Sequence, residues 1–181
     1  VVIDITEDRC REDELENVHA QLEFESRHDA LTGLANRRLL DETVDAYLSD
    51  IPPHENYAII HIDLDRFKQI NDTLGHAAGD AVLVHVAQKL REIVGDQALI
   101  SRMGGDEFVL LMNDASAEAA RECVARLEKG VRDYNEHSGK PYDIRFNEGV
   151  VELDLQTDHS VQLLLKLADA MMYQQKRKRM D

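Results

Sequence analysis

Asp106 and Glu107 are adjacent carboxylates that follow two glycines, Gly104 and Gly105, and apolar runs lie on both sides across residues 99–112. Such runs around a glycine pair predict a β-hairpin closed by a tight turn. The glycines permit positive φ and close approach of another group to the backbone. A polar hairpin tip alone would explain so short a motif. A second acidic strand end adds to it: the apolar run at residues 59–65 finishes in Asp63, Leu64 and Asp65. If the two strands are neighbours, Asp63, Asp106 and Glu107 converge. Two carboxylates ~4 Å apart repel by about 4 kcal/mol at an effective dielectric of about 20. A cluster of three therefore calls for a cation, and hard oxygen ligands suit Mg²⁺.

The elements that must carry these acids follow from the hydrophobic pattern. Residues 57–64 form a near-continuous apolar strand, as expected for a central strand covered on both faces, with His61 a core or edge residue rather than a ligand. A short helix over 66–73 follows, with Asp65 as a possible cap, and then a loop from Gly75 to Gly79. Leu83, Val86, Ala87, Leu90 and Val94 mark one helix face, and Ala120, Cys123, Val124, Leu127 and Val131 mark another. Residues 142–153 read as a strand with a bulge at Asn147, Glu148 and Gly149. A last helix carries Val161, Leu164, Leu165, Ala168 and Met172 behind a Ser160 cap. The resulting order is βαββαβ, the ferredoxin-like motif, so the expected class is α+β.

Upstream, residues 1–5 look like the end of a strand, with Thr6 as helix N-cap. The following helix bears Leu15, Val18 and Leu22 at heptad-like spacing. It is either a solvated connector or a coiled-coil seam. Asn36 is placed to cap a helix carrying Leu40, Val44, Tyr47 and Leu48, which Pro52 and Pro53 stop.

Composition narrows the partners. The formal charge of -15 argues against nucleic acid, whose phosphates bind Lys/Arg-rich surfaces. It suits an anionic ligand that arrives with metal ions. The two cysteines give no disulfide framework, and no apolar run has the length of a membrane span. The chain opens on Val1 rather than Met, so a piece of a longer cytoplasmic protein is expected. Its expected parts are a leading segment, 1–27, and a catalytic domain, 28–181.

Four stretches together resemble the GGDEF family, the diguanylate cyclases. Residues 103–108, MGGDEF, are similar to its signature, and residues 28–38, HDALTGLANRR, to its opening motif. Residues 63–80, DLDRFKQINDTLGHAAGD, resemble its nucleotide-binding segment, and residues 168–176, ADAMMYQQK, its final helix. The resemblance implies a palm-like sheet flanked by helices and a homodimer of two facing half-sites joined through the N-terminal helix. It implies condensation of two GTP into cyclic di-GMP with two Mg²⁺ (or Mn²⁺) per active site. Asp63, the Leu64 carbonyl, Asp106 and Glu107 would hold the metals, with Asp106 and Glu107 the catalytic pair. Asn71, Asp80 and His76 would meet guanine, Lys68 and Lys176 the phosphates, and Gly104 and Gly105 would leave room for the nucleotide. Residues 4–8 resemble the exit of a PAS-type sensory domain, which implies an upstream sensor.

Three departures from the family pattern stand out. Met180 occupies a position where an arginine is usual, with Arg179 one residue short. Asn147 and Glu148 stand where Ser and Ile are commoner. The Arg-x-x-Asp sequence that grips product in many members is replaced by Gly95, Asp96, Gln97 and Ala98, so no product-inhibition site is expected there. The alternative to an enzyme is a catalytically silent module that binds GTP or cyclic di-GMP.

Overall fold

A computed structural model describes residues 5–49 and 56–153, together with Lys166 and Ala170. Helix α1 (Ile5–Arg27) leads into α2 (Arg37–Ser49), and strand β1 (Tyr57–Leu64) is followed by α3 (Phe67–Leu74) and α4 (His76–Val94). The hairpin β2 (Ala98–Gly104) and β3 (Glu107–Asn113) precedes α5 (Ala117–His137) and β4 (Phe146–Leu153). The strands form one antiparallel sheet in the order β2-β3-β1-β4. This is the expected α+β, βαββαβ arrangement, with the α3–α4 pair and α5 as its two crossovers.

β1 is apolar along its length because both its faces are covered. Ala58, Ile60, Ile62 and Leu64 pack with Leu83, Val86 and Leu90 of α4 and with Val124 and Leu127 of α5. Tyr57 and Ile59 pack on the opposite face with Leu40 and Val44 of α2. Burying a side chain of this size contributes about 1.5–3 kcal/mol. His61 is buried within the strand, as expected. Asn36 caps α2 by accepting from the Leu39 N–H at 3.1 Å.

Several boundaries differ from expectation. Ile5 and Thr6 are already helical, so Thr6 does not cap α1, and residues 1–4 lie outside the described residues. The loop expected from Gly75 to Gly79 shrinks to Gly75, whose φ of 88° turns the chain between α3 and α4. Asp65 does not cap α3; the cap position is Arg66, in the left-handed region without a side-chain cap bond. Residues 142–145 are not strand. There the side chain of Asn135 satisfies the backbone instead, accepting from the Ile144 N–H at 2.8 Å and donating to the Ile144 carbonyl at 2.9 Å. The expected bulge is absent, and β1 and β4 pair residue for residue from Tyr57 with Leu153 to Leu64 with Phe146. Of the expected last helix only Lys166 and Ala170 are described, both helical, and Ser160 and Lys176 lie outside the described residues.

α1 is held chiefly at its C-terminal end. Phe24 stacks on the His28 ring at 3.8 Å, and Arg27 pairs with Glu42 at 3.0 Å. Leu15, Val18, Leu22 and Phe24 remain exposed, at 69%, 56%, 58% and 53%. Among the described residues, no helix is long and apolar enough to cross a membrane.

Between α4 and α5, His85 lies 3.8 Å from the Tyr134 ring, and its Nε2 is buried without a hydrogen-bond partner. Burial pushes the His85 pKa down, Lys89 adds to this, and Glu92 opposes it. The folded protein therefore favours neutral His85, whereas the unfolded chain takes up a proton near pH 6.5. Its contribution is complete above that pH and is lost as the pH falls below it. Urea unfolding at pH 7.5 and pH 5.5 should show a smaller loss of stability on acidification in His85→Phe than in the wild type. Equal losses would mean that His85 does not titrate in this range.

Candidate active site

The acidic residues are brought together by strand register. Asp63 is paired directly opposite Glu107 across β1 and β3, so both side chains project from the same sheet face. The Leu64 N–H donates to the Asp106 carbonyl at 3.1 Å, which ties the hairpin turn to the end of β1. Asp63, Asp106 and Glu107 are all half-buried. Gly104 and Gly105 have φ of 137° and 54°, in the region that glycine tolerates, and a Cβ on either would meet nothing within 4 Å. Open space therefore lies over the turn, as the reading of a nucleotide against the hairpin requires.

The expected convergence is looser than a closed metal cage. Among the described residues, no three His, Cys, Asp or Glu side chains are gathered closely enough to hold a metal ion by themselves. Mg²⁺ binds in a way that suits such a site, because it retains waters and takes one or two carboxylates plus substrate phosphates. If Asp63, Asp106, Glu107 and the Leu64 carbonyl are the donors, as the family resemblance implies, the set would be all hard oxygen, which fits Mg²⁺ or Mn²⁺.

A clamp that the sequence reading had not assigned supports the turn. The Arg102 guanidinium donates twice to the Gly105 carbonyl, at 3.1 and 2.8 Å, and once to Asp29 Oδ1 at 2.9 Å. Asp29 Oδ2 accepts from the Thr32 N–H at 2.8 Å and from its hydroxyl at 2.7 Å. Burial pushes the Asp29 carboxyl up, but the two Thr32 bonds and the Arg102 guanidinium outweigh it and hold the pKa below the usual value. The same segment is stitched to β2 by the Ala35 N–H to the Ile100 carbonyl and the Arg102 N–H to the Ala35 carbonyl. Asp29 lies two residues beyond the end of α1, so the signature turn is bonded to the chain leaving that helix. An arginine two residues before the glycine pair and an aspartate in the opening motif were the available signals. Their pairing across 73 residues was not readable from spacing.

The expected base-binding residues gather at the α3–α4 corner. Asn71 Oδ1 is buried without a hydrogen-bond partner, and a Cβ on Gly79 would overlap it. The absence of a side chain at position 79 thus makes room for the Asn71 amide beside Asp80. His76 and Asp80, four residues apart on α4, share a face and are both exposed. Lys68 is exposed on α3, three residues before Asn71. Lys176, Arg179 and Met180 lie outside the described residues. Gly95 to Gln97 form a single 3₁₀ turn after α4. Beside it is a cavity of about 370 Å³, and Arg91 on its wall donates to the Thr32 carbonyl at 2.7 Å.

The antiparallel sheet, with acids on a glycine hairpin at the end of its central strand, defines an α+β domain with helices packed on the sheet. The chain belongs to the family described as "Diguanylate cyclase, GGDEF domain", which matches residues 26–181. It is 34% identical over 178 residues to the probable diguanylate cyclase DgcE of Escherichia coli K12. That alignment covers 97% of this chain and 15% of DgcE. The solved GGDEF domain of TpbB from Pseudomonas aeruginosa matches with a TM-score of 0.74 at 35% identity, over 83% of this chain and 89% of that one. The coiled coil and GGDEF domain of DgcB from Caulobacter crescentus, in complex with c-di-GMP, share the fold at a TM-score of 0.86 and 23% identity. That match covers 96% of this chain and 93% of the DgcB chain.

The Asp29–Arg102 pair is largely shielded, with side-chain exposures of 21% and 14%. A double-mutant cycle of Asp29→Ala and Arg102→Ala in urea unfolding should give a coupling above the roughly 0.2–1 kcal/mol of exposed ion pairs. A coupling near zero would show that the clamp does not stabilise the turn.

Proposed function

We propose that this domain is an active diguanylate cyclase that joins two GTP into cyclic di-GMP and releases two pyrophosphates. The observation that carries the reading is the Asp63–Glu107 register pair beside the Asp106 turn, in a chain of this family. Divalent cations bound at these acids supply charge that neutralises the triphosphate and makes the ribose 3′-hydroxyl easier to deprotonate. Asp63, Asp106, Glu107 and the Leu64 carbonyl would provide the oxygen ligands, and Asp106 also assists removal of the 3′-hydroxyl proton. The 3′-oxygen of one GTP then attacks the α-phosphorus of the other, a P–O bond forms, and the bond to pyrophosphate breaks. The 3′-oxygen of the second nucleotide then attacks the α-phosphorus of the first, which releases the second pyrophosphate and closes the ring.

Each domain holds one GTP, so two domains must face each other. The exposed Leu15, Val18 and Leu22 of α1 supply a seam for the second copy in the proposed homodimer. Guanine is held by chemistry that matches its edges: the Asp80 carboxylate accepts from the N1–H and the exocyclic amine, and the Asn71 amide, with His76 nearby, serves the remaining edge. Lys68 and Lys176 meet the phosphates. The chain is proposed to be the output domain of a longer cytoplasmic signalling protein with an upstream sensor.

Incubating the protein with GTP and Mg²⁺ should yield cyclic di-GMP and pyrophosphate in a 1:2 ratio, read by chromatography. Asp106→Asn should retain its fold by circular dichroism and lose nearly all turnover. Binding of GTP without turnover by a dimeric wild type would support the silent binding module instead.

A further inference from the structure

Asn147 is a buried polar side chain beside the acidic pair that the reaction described above does not use. β1 pairs with β3 on one side and with β4 on the other, so Asp63 has two direct neighbours, Glu107 and Asn147. Residues paired across adjacent strands project from the same face, and Glu107, Asp63 and Asn147 therefore form a row across the sheet. This is the face on which Ile59 and its partner Val151 pack with α2. Asn147 is 4% exposed, and its Nδ2 is buried with no hydrogen-bond partner. Glu148, the next residue, is buried on the opposite face, paired with Ile62.

An amide donor left unpaired in the interior destabilises a fold, and native proteins keep few of them. The backbone of Asn147 already belongs to the β1–β4 ladder, so the amide is not needed to form the strand. What distinguishes the position is its neighbour. A carboxylate that binds a dication through one oxygen keeps lone pairs that need a donor, and that donor fixes the carboxylate's orientation.

Resting on the reading that a divalent cation binds beside Asp63, we propose that Asn147 is a positioning residue of the metal site: its Nδ2–H donates to the Asp63 carboxylate when that carboxylate takes up the ion.

The test titrates Mn²⁺ into the wild type, Asn147→Ala and Asn147→Ser with the slowly reacting analogue GTPαS present and a protein-free control, with free ion counted by electron paramagnetic resonance. Each protein is also melted in EDTA. The expected result is Mn²⁺ affinity about 10–100-fold weaker in Asn147→Ala, partly restored in Asn147→Ser. The metal-free melting temperature of Asn147→Ala should be no lower than that of the wild type. Unchanged Mn²⁺ affinity in Asn147→Ala, or a lowered metal-free melting temperature as its only change, would make Asn147 a packing residue and overturn the proposal. A wild type that binds no Mn²⁺ beyond the protein-free GTPαS control overturns it as well. Cyclic di-GMP synthesis from GTP is assayed on the same three proteins. If the affinity pattern holds and no product forms, the positioning role stands and the cyclase reading fails.

Discussion

The pairing of Asp63 with Glu107 across β1 and β3 is the constraint on which the rest of the site depends. Like charges directly opposite each other destabilise a ladder, on the scale of roughly 0.2–1 kcal/mol for a cross-strand pair. The pairs that follow, Ile62 with Phe108 and Ile60 with Leu110, are fully buried. Each such side chain contributes about 1.5–3 kcal/mol, so the core fixes the register and the acids are carried along with it. A slip of one residue would send Asp63 to the other face and take the core residues out of the interior. The acidic site and the hydrophobic core are thus specified by one alignment of two strands.

The turn between the strands needs its own support, because its glycines bring no packing. Arg102 gives it by holding the Gly105 carbonyl and reaching Asp29. Asp29 belongs to the short segment between α1 and α2, which is also bonded to β2 through Ala35. A bonded route therefore runs from the end of an exposed helix to the residue adjoining Asp106. The α3–α4 corner is separate: Gly75 sets it, and Gly79 makes room for Asn71.

Much of this was legible in the sequence. The continuous apolar runs of β1 and β3, the helix faces around Leu83–Leu90 and Ala120–Val131, and the hairpin glycines each carry a strong local signal. Their order was enough for the βαββαβ class. The failures were also local in origin. Gly79 was read as loop because glycine is a poor helix former, whereas its missing side chain serves Asn71. The Asn147–Glu148–Gly149 string was read as a bulge, yet the ladder runs through it unbroken. Residues 142–145 were read as strand because nothing local revealed that Asn135 would satisfy the backbone at Ile144. The Asp29–Arg102 clamp was missed because an ion pair between distant segments leaves no periodic trace.

The central claim is that the Asp63–Glu107 register and the Asp106 turn together hold the ions that carry GTP. Anomalous diffraction from crystals grown with Mn²⁺ and the slowly reacting analogue GTPαS tests it most directly. The claim predicts Mn²⁺ peaks within coordination distance of Asp63 and Asp106, with triphosphate oxygens completing their shells. Mn²⁺ and nucleotide bound together elsewhere on the domain, with no peak at these carboxylates, would contradict it.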